Sequence, residues 1–177
     1  MRRWAALLRG VNLNGRKLPS ADLKAIVESL GYGDVRTLLA SGNVLFATDE
    51  PEDVIVARLE AAFAAYGLTT DVLLRDRAGI QAAIDANPFV EEAADHPSHL
   101  LVVFHREPFP PSALERIPDH HRGPERLQAI GRELYIDFLG SETMRESKLD
   151  QAMRKARFPA IATARNWNTV GKLLALL

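Results

Sequence analysis

Nine residues close to the end of the chain, Ala164-Arg165-Asn166-Trp167-Asn168-Thr169-Val170-Gly171-Lys172, form its densest set of groups able to do chemistry. On a helix turning about 100° per residue, Trp167, Val170, Leu174 and Leu177 fall on one side. Arg165, Asn168, Thr169 and Lys172 fall on the other. The first set is a core stripe. The second gathers a guanidinium, an amide, a hydroxyl and an ammonium near a helix start, where free N–H groups and the helix dipole favour an anion. Such groups hold phosphate or carboxylate through charge-assisted hydrogen bonds. The competing reading is a helix capped by Thr163 or Asn166 and anchored by Trp167, with its charges solvated.

A second candidate is the loop Arg9-Gly10-Val11-Asn12-Leu13-Asn14-Gly15-Arg16-Lys17, which leaves the end of an apolar run. Its glycines permit close approach of a ligand, but the spacing is neither GxxxxGK[ST] nor GxGxxG. Ser41-Gly42-Asn43 can present a hydroxyl and an amide beside that loop, or serve only as a turn. A serine nucleophile would need a base, and no histidine stands in a recognisable partner motif. Proline interrupts His96-Pro97-Ser98-His99, and the adjacent pair His120-His121 is poorly spaced for one metal. No metal and no cofactor are therefore expected. Glu91-Glu92 and Glu50/Glu52 read as surface and helix-start charges.

With 177 residues the chain has room for one full domain or two small ones. A formal net charge of −1 argues against general duplex binding, which relies on a basic excess. The charge is unevenly placed. From Thr143 onward seven Lys/Arg face two acids, whereas residues 88–142 carry five Arg against ten acids. The absence of cysteine excludes disulfides and thiolate chemistry. Trp4–Leu8 is too short an apolar run for a signal peptide, and no stretch approaches a membrane span. A cytoplasmic protein without a membrane partner is expected.

These candidates need elements to position them. Trp4–Leu8 reads as a buried strand, and Ser20 can cap a helix bearing Leu23, Ile26, Val27 and Leu30. Residues 35–40 and 44–47 read as a hairpin around Ser41-Gly42-Asn43. Pro51 opens a helix that Gly67 closes, and residues 69–74 form a fourth strand. Asp76 caps a helix ending before Pro88. Residues 87–98 lack periodicity, which sets the expected boundary between a domain of residues 1–86 and one of residues 87–177. The second half then reads as strand 99–105, a short helix, a hairpin around Gly131-Arg132, a helix with a Ser147/Asp150 capping box, a strand at 161–164 and the terminal helix. The fold expected is α+β: two ferredoxin-like α/β-plait halves (split βαβ), each an antiparallel sheet with helices on one face, plus a C-terminal helix. No sequence repeat between the halves is evident.

Leu7-Leu8-Arg9-Gly10-Val11-Asn12, Ser41-Gly42-Asn43-Val44, Ser147-Lys148-Leu149 and Thr163–Val170, taken in that order, resemble the bacterial domain of unknown function 1697 family. The resemblance implies two plait halves and carries no activity, substrate or cofactor. It marks Arg9, Gly10, Asn12, Ser41, Gly42, Asn43, Lys148, Thr163, Arg165, Asn166, Trp167, Asn168, Thr169 and Lys172 as signature positions. The chain departs from the family at Asn14-Gly15, Ser20 and Leu38. Three functions compete. The favoured one is a module that binds a phosphate-bearing small molecule or an RNA segment through Arg9, Asn12, Lys17, Ser41, Asn43, Lys148, Arg165, Asn166, Asn168, Thr169 and Lys172. The second is a structural or self-associating domain. The third is an enzyme using Lys148 or Lys172 as base or electrostatic stabiliser.

Overall fold

Proline and glycine punctuate the first half of the chain and set where its elements start and stop. In the computed structural model, which describes residues 1–12, 15 and 17–177, the first strand β1 spans Arg2–Leu8. Helix α1 (Ser20–Ser29) follows, then β2 (Gly33–Leu38) and β3 (Asn43–Thr48). Helix α2 (Glu52–Tyr66), β4 (Val72–Asp76) and α3 (Arg77–Asp85) complete the series. Pro19, not Ser20, stands at the cap of α1, and its carbonyl accepts the Leu23 N–H at 2.9 Å. Pro51 does the same for α2, and Gly67 ends that helix in the left-handed region at φ 99°. At both helix starts the proline carbonyl accepts the first intrahelical N–H, and no side-chain hydroxyl takes part in the cap.

The four strands form one antiparallel sheet in the order β2-β3-β1-β4. Trp4, Ala6, Leu8, Val44, Phe46, Val72 and Leu74 share a core with Leu23 and Val27 of α1 and Ile55, Leu59 and Phe63 of α2. Ala5, Leu7, Leu45 and Leu73, on the opposite face, are buried too. That double burial explains why β1 and β3 read as continuous apolar runs instead of alternating ones.

The second half repeats the plan. After α4 (Val90–Asp95) come β5 (Leu100–His105), α5 (Pro111–Glu115), β6 (Arg126–Ile130) and β7 (Glu133–Asp137). Helices α6 (Ser141–Glu146) and α7 (Leu149–Lys155), strand β8 (Ala162–Asn166) and α8 (Trp167–Leu176) follow. The sheet order β6-β7-β5-β8 matches that of the first sheet strand for strand. Val103, Leu134 and Ile136 pack with Ala113, Leu149 and Ala152 from its helices. The stretch without periodicity contains α4, a helix too short to show any, whose Val90 is 71% exposed. The chain forms two compact units, Met1–Ala82 with Leu173–Leu177, and Ala83–Lys172. The division falls inside α3 and again inside α8. Among the described residues no helix is long and apolar enough to cross a membrane.

Gly42 turns the β2–β3 hairpin at φ 80°, and its carbonyl accepts the Leu8 N–H at 2.8 Å. A Cβ there would collide with the Val11 side chain. Gly42→Ala is expected to lower stability by about 1–3 kcal/mol. Gly171→Ala, in α8 with open space around it, should raise it by about 0.5–1 kcal/mol. Urea unfolding of the two variants checks both signs.

Candidate functional site

The terminal motif folds as a strand running directly into a helix. Arg165 and Asn166 are the last two residues of β8, and α8 begins at Trp167. The Asn166 side-chain oxygen accepts the Thr169 N–H at 3.0 Å and the Thr169 hydroxyl at 3.1 Å, the geometry of an N-cap. Arg165 therefore lies in the strand, not on the helix face drawn from sequence, and Thr169 is buried with Val170 and Leu173. The expected row of four polar side chains is divided. Arg165 and Thr169 are interior, while Asn168 and Lys172 are exposed. Asn168 donates to the Ser98 hydroxyl at 3.3 Å.

Arg165 is 5% exposed and donates to the carbonyl of Ala164 at 2.8 Å and to the Thr163 hydroxyl at 2.7 Å. Burial pushes its guanidinium down to about 10, so it stays charged at neutral pH. The ladder explains its place. Arg106 donates to Ile161 and β8 runs antiparallel to β5, so alternation turns the Ala164 carbonyl away from the sheet. An outward carbonyl on an edge strand has no ladder partner, and here Arg165 donates to it.

The first unit has the same junction. Asp76 ends β4, and its Oδ1 accepts the Gly79 N–H at 2.8 Å, three residues on as in the second unit. Arg75 precedes it, 3% exposed, and donates to the Leu74 carbonyl at 2.8 Å. Arg75-Asp76 and Arg165-Asn166 are thus equivalent positions of a duplicated fold. A spacing comparison of the two strand ends would have found them, whereas a search for longer identity does not.

The first-loop candidates are also bound to their own chain. Asn12, at φ 56°, donates to the carbonyls of Ala40 at 2.5 Å and Leu18 at 3.3 Å, and accepts the Leu18 N–H at 2.8 Å. Asn43 is fully buried and donates to the Leu38 carbonyl and the Ser41 hydroxyl, both at 2.8 Å. Arg9 pairs with Asp71 at 3.0 Å. Lys17 is exposed and lines a cleft of about 520 Å³ with Gly15, Tyr66, Gly67, Leu68 and Thr69. Leu13, Asn14 and Arg16 lie outside the described residues.

Around Ser147 the expected capping box is replaced by another bond set. Its hydroxyl accepts the Leu149 N–H at 3.2 Å and donates to Glu125, whose other oxygen faces His121 Nε2 at 2.7 Å. The glutamate sits between hydroxyl and imidazole, so this is no serine–histidine nucleophile. Asp150 lies 4.0 Å from Arg154 instead, and Lys148 is exposed.

A cleft that sequence reasoning missed lies in the first unit. Arg2, Arg3, Asp76, Arg77, Ala78, Gln81 and Leu177 line about 510 Å³. Arg2 donates to Asp76 at 2.8 Å and lies 4.4 Å over the Trp4 ring. Arg3 bonds Asp34 and reaches the Leu176 carbonyl at 3.1 Å, and Arg77 reaches the Leu174 carbonyl at 3.0 Å. Cations thus meet the carbonyl end of α8. Burial alone would raise Asp76, but the Gly79 N–H and Arg2 more than offset it and hold its carboxyl below the ordinary range. The signal for this cleft was present in Arg2-Arg3, which lay outside every motif considered.

Among the described residues no group of three or more His, Cys, Asp or Glu is placed to hold a metal ion. His96 is clamped between carboxylates, with Nδ1 2.9 Å from Asp95 and Nε2 2.7 Å from buried Asp137. Asp137 also accepts from Arg126 and from the Leu139 N–H.

Residues 1–135 match the family described as protein of unknown function (DUF1697), and the chain belongs to that family. The conserved bacterial protein SP0830 from Streptococcus pneumoniae shares the fold, with a TM-score of 0.77 and 22% identity. The likeness covers 99% of this chain and 98% of that one. No curated protein matches the sequence.

Removing either junction cap, by Asp76→Ala or Asn166→Ala, should cost about 1 kcal/mol in urea unfolding. The Asp137 cluster gives a pH signature. Hydrogen bonds that its ring donates to Asp95 and then to Asp137 raise His96, so its contribution is complete below the ordinary histidine value and lost as pH climbs through the raised one. Burial pushes Asp137 up, but His96, the Leu139 N–H and Arg126 bring it below the ordinary carboxylate value. Its contribution is present above that value and disappears as pH falls through the lowered one. Stability measured against pH should lose part of its acid-side slope in Asp137→Asn and part of its neutral-side slope in His96→Gln.

Proposed function

We propose that this protein is a binding module for a small phosphate-bearing molecule, such as a nucleotide, and that the arginine cleft of the first unit receives it. The observation that carries this reading is the lining itself. Three guanidinium groups and one carboxylate surround about 510 Å³. That volume lies in the usual range for small-molecule sites, roughly 300–1,000 Å³. Each guanidinium has five N–H donors, so the bonds to Asp76, Asp34 and the helix carbonyls leave further donors for an anion. Planar, forked donors suit phosphate better than isolated ammonium groups do.

Most of the signature residues have another role in this reading. Asn12, Ser41, Asn43, Arg165, Asn166 and Thr169 shape loops and strand ends, and Arg9 is paired with Asp71, while Lys17, Lys148, Asn168 and Lys172 are exposed side chains outside the cleft. A cleft of this size favours a small molecule over an RNA segment. No reaction is assigned to it.

Calorimetric titration with pyrophosphate and ATP at two salt concentrations tests the proposal. Arg2→Ala and Arg77→Ala should each weaken binding roughly tenfold, about 1.4 kcal/mol. Lys148→Ala and Lys172→Ala should leave it unchanged. Binding that persists in the Arg2/Arg77 double variant, or is undetectable at millimolar ligand, overturns the assignment.

A further inference from the structure

Each four-stranded sheet has two edge strands, and an edge strand offers unpaired N–H and C=O groups to any chain that comes alongside. Three of the four edges here are blunted. In β2 the register slips between Gly33 and Arg36, and Asp34 sits at φ 47° with Arg3 and Arg36 on its carboxylate. On β4, Glu60 accepts the outward Val72 N–H at 3.0 Å and Arg75 covers the Leu74 carbonyl. On β8, Arg165 covers the Ala164 carbonyl.

The fourth edge, β6, has none of these devices. Its register with β7 is regular from Arg126↔Asp137 to Ile130↔Glu133, closed by the two-residue turn Gly131-Arg132. Such a closing pair is hydrogen-bonded, so alternation turns the backbone groups of Leu127 and Ala129 outward. Among the described residues these outward groups have no hydrogen-bond partner. The strand contains neither proline nor glycine. Its one charge, Arg126, is bonded to Asp137 and Glu92 and lies over the Phe89 ring. Nothing on β6 repels a neighbour.

We infer that β6 is a self-association edge, on which a second copy of this chain adds its own β6 antiparallel about Gln128. The strand is self-complementary in that register. Leu127 of one copy lies opposite Ala129 of the other, so large meets small and their outward groups exchange four hydrogen bonds. The exposed Gln128 side chain meets its own counterpart, amide to amide. Ile130, 36% exposed, lies opposite Arg126, whose charge is already matched within its own unit. Leu127 and Ala129, only partly covered by their own core, would gain cover from the second copy. A closed, isologous dimer results, its two sheets continuous over eight strands.

Sedimentation velocity of the full chain, from micromolar to near-millimolar concentration, tests this pairing. The expected result is a monomer–dimer equilibrium. Gln128→Glu places two carboxylates opposite each other at an exposed position and should weaken the dimer roughly tenfold or more. Ala129→Pro removes an outward donor and should do the same. Circular dichroism verifies that each variant is folded, and if Ala129→Pro is not, Gln128→Glu decides alone. A chain that stays monomeric throughout overturns the inference, as does a dimer that Gln128→Glu leaves unchanged.

Discussion

A strand that ends a sheet and passes straight into a helix has two problems at one point. Its outward carbonyl has no ladder partner, and the first N–H groups of the helix have no intrahelical acceptor. Here consecutive residues solve both. A buried arginine turns back onto the carbonyl before it, and the next residue, Asp76 or Asn166, takes an N–H of the new helix. An unsatisfied buried polar group costs about 1–3 kcal/mol, a penalty that Arg75 spares the carbonyl of buried Leu74. The direction of α3 and α8 follows from this solution. So does the cleft between Arg2, Arg3 and Arg77, because Asp76 anchors Arg2 and Arg77 opens α3.

This arrangement changes the meaning of the most polar segment of the chain. Seen as side-chain types, Arg165, Asn166 and Thr169 suggest a ligand. Seen as bonds, they close a junction. The same holds for Asn12, whose amide joins the first loop to the hairpin, and for Asn43, whose amide closes the hairpin on itself. A dense polar segment can therefore serve architecture, and membership in DUF1697 is compatible with a binding surface elsewhere.

The element order was legible because apolar patterning and Pro/Gly punctuation are local signals. Pro51, Gly67 and the Gly131-Arg132 turn stand where the sequence placed them. Strand ends were less legible: β4 and β8 run two residues further than their apolar runs, to Asp76 and Asn166, since their last residues are polar for reasons of capping. That extension moved Arg165 from a helix face into a strand. The arginine cleft was hidden for a different reason. Arg2, Arg77 and Leu177 are distant in sequence and meet only once the sheet and α8 are in place.

The two junctions differ in the chemistry of the cap, a carboxylate in Asp76 and a carboxamide in Asn166. A carboxamide does not titrate, so the later junction is indifferent to acid. The earlier one rests on an ionised group that acid can neutralise, and protonation would also release Arg2 from its anchor. Two junctions built to one plan have thereby acquired unequal sensitivity to protons, and the acid-labile one belongs to the unit that carries the arginine cleft.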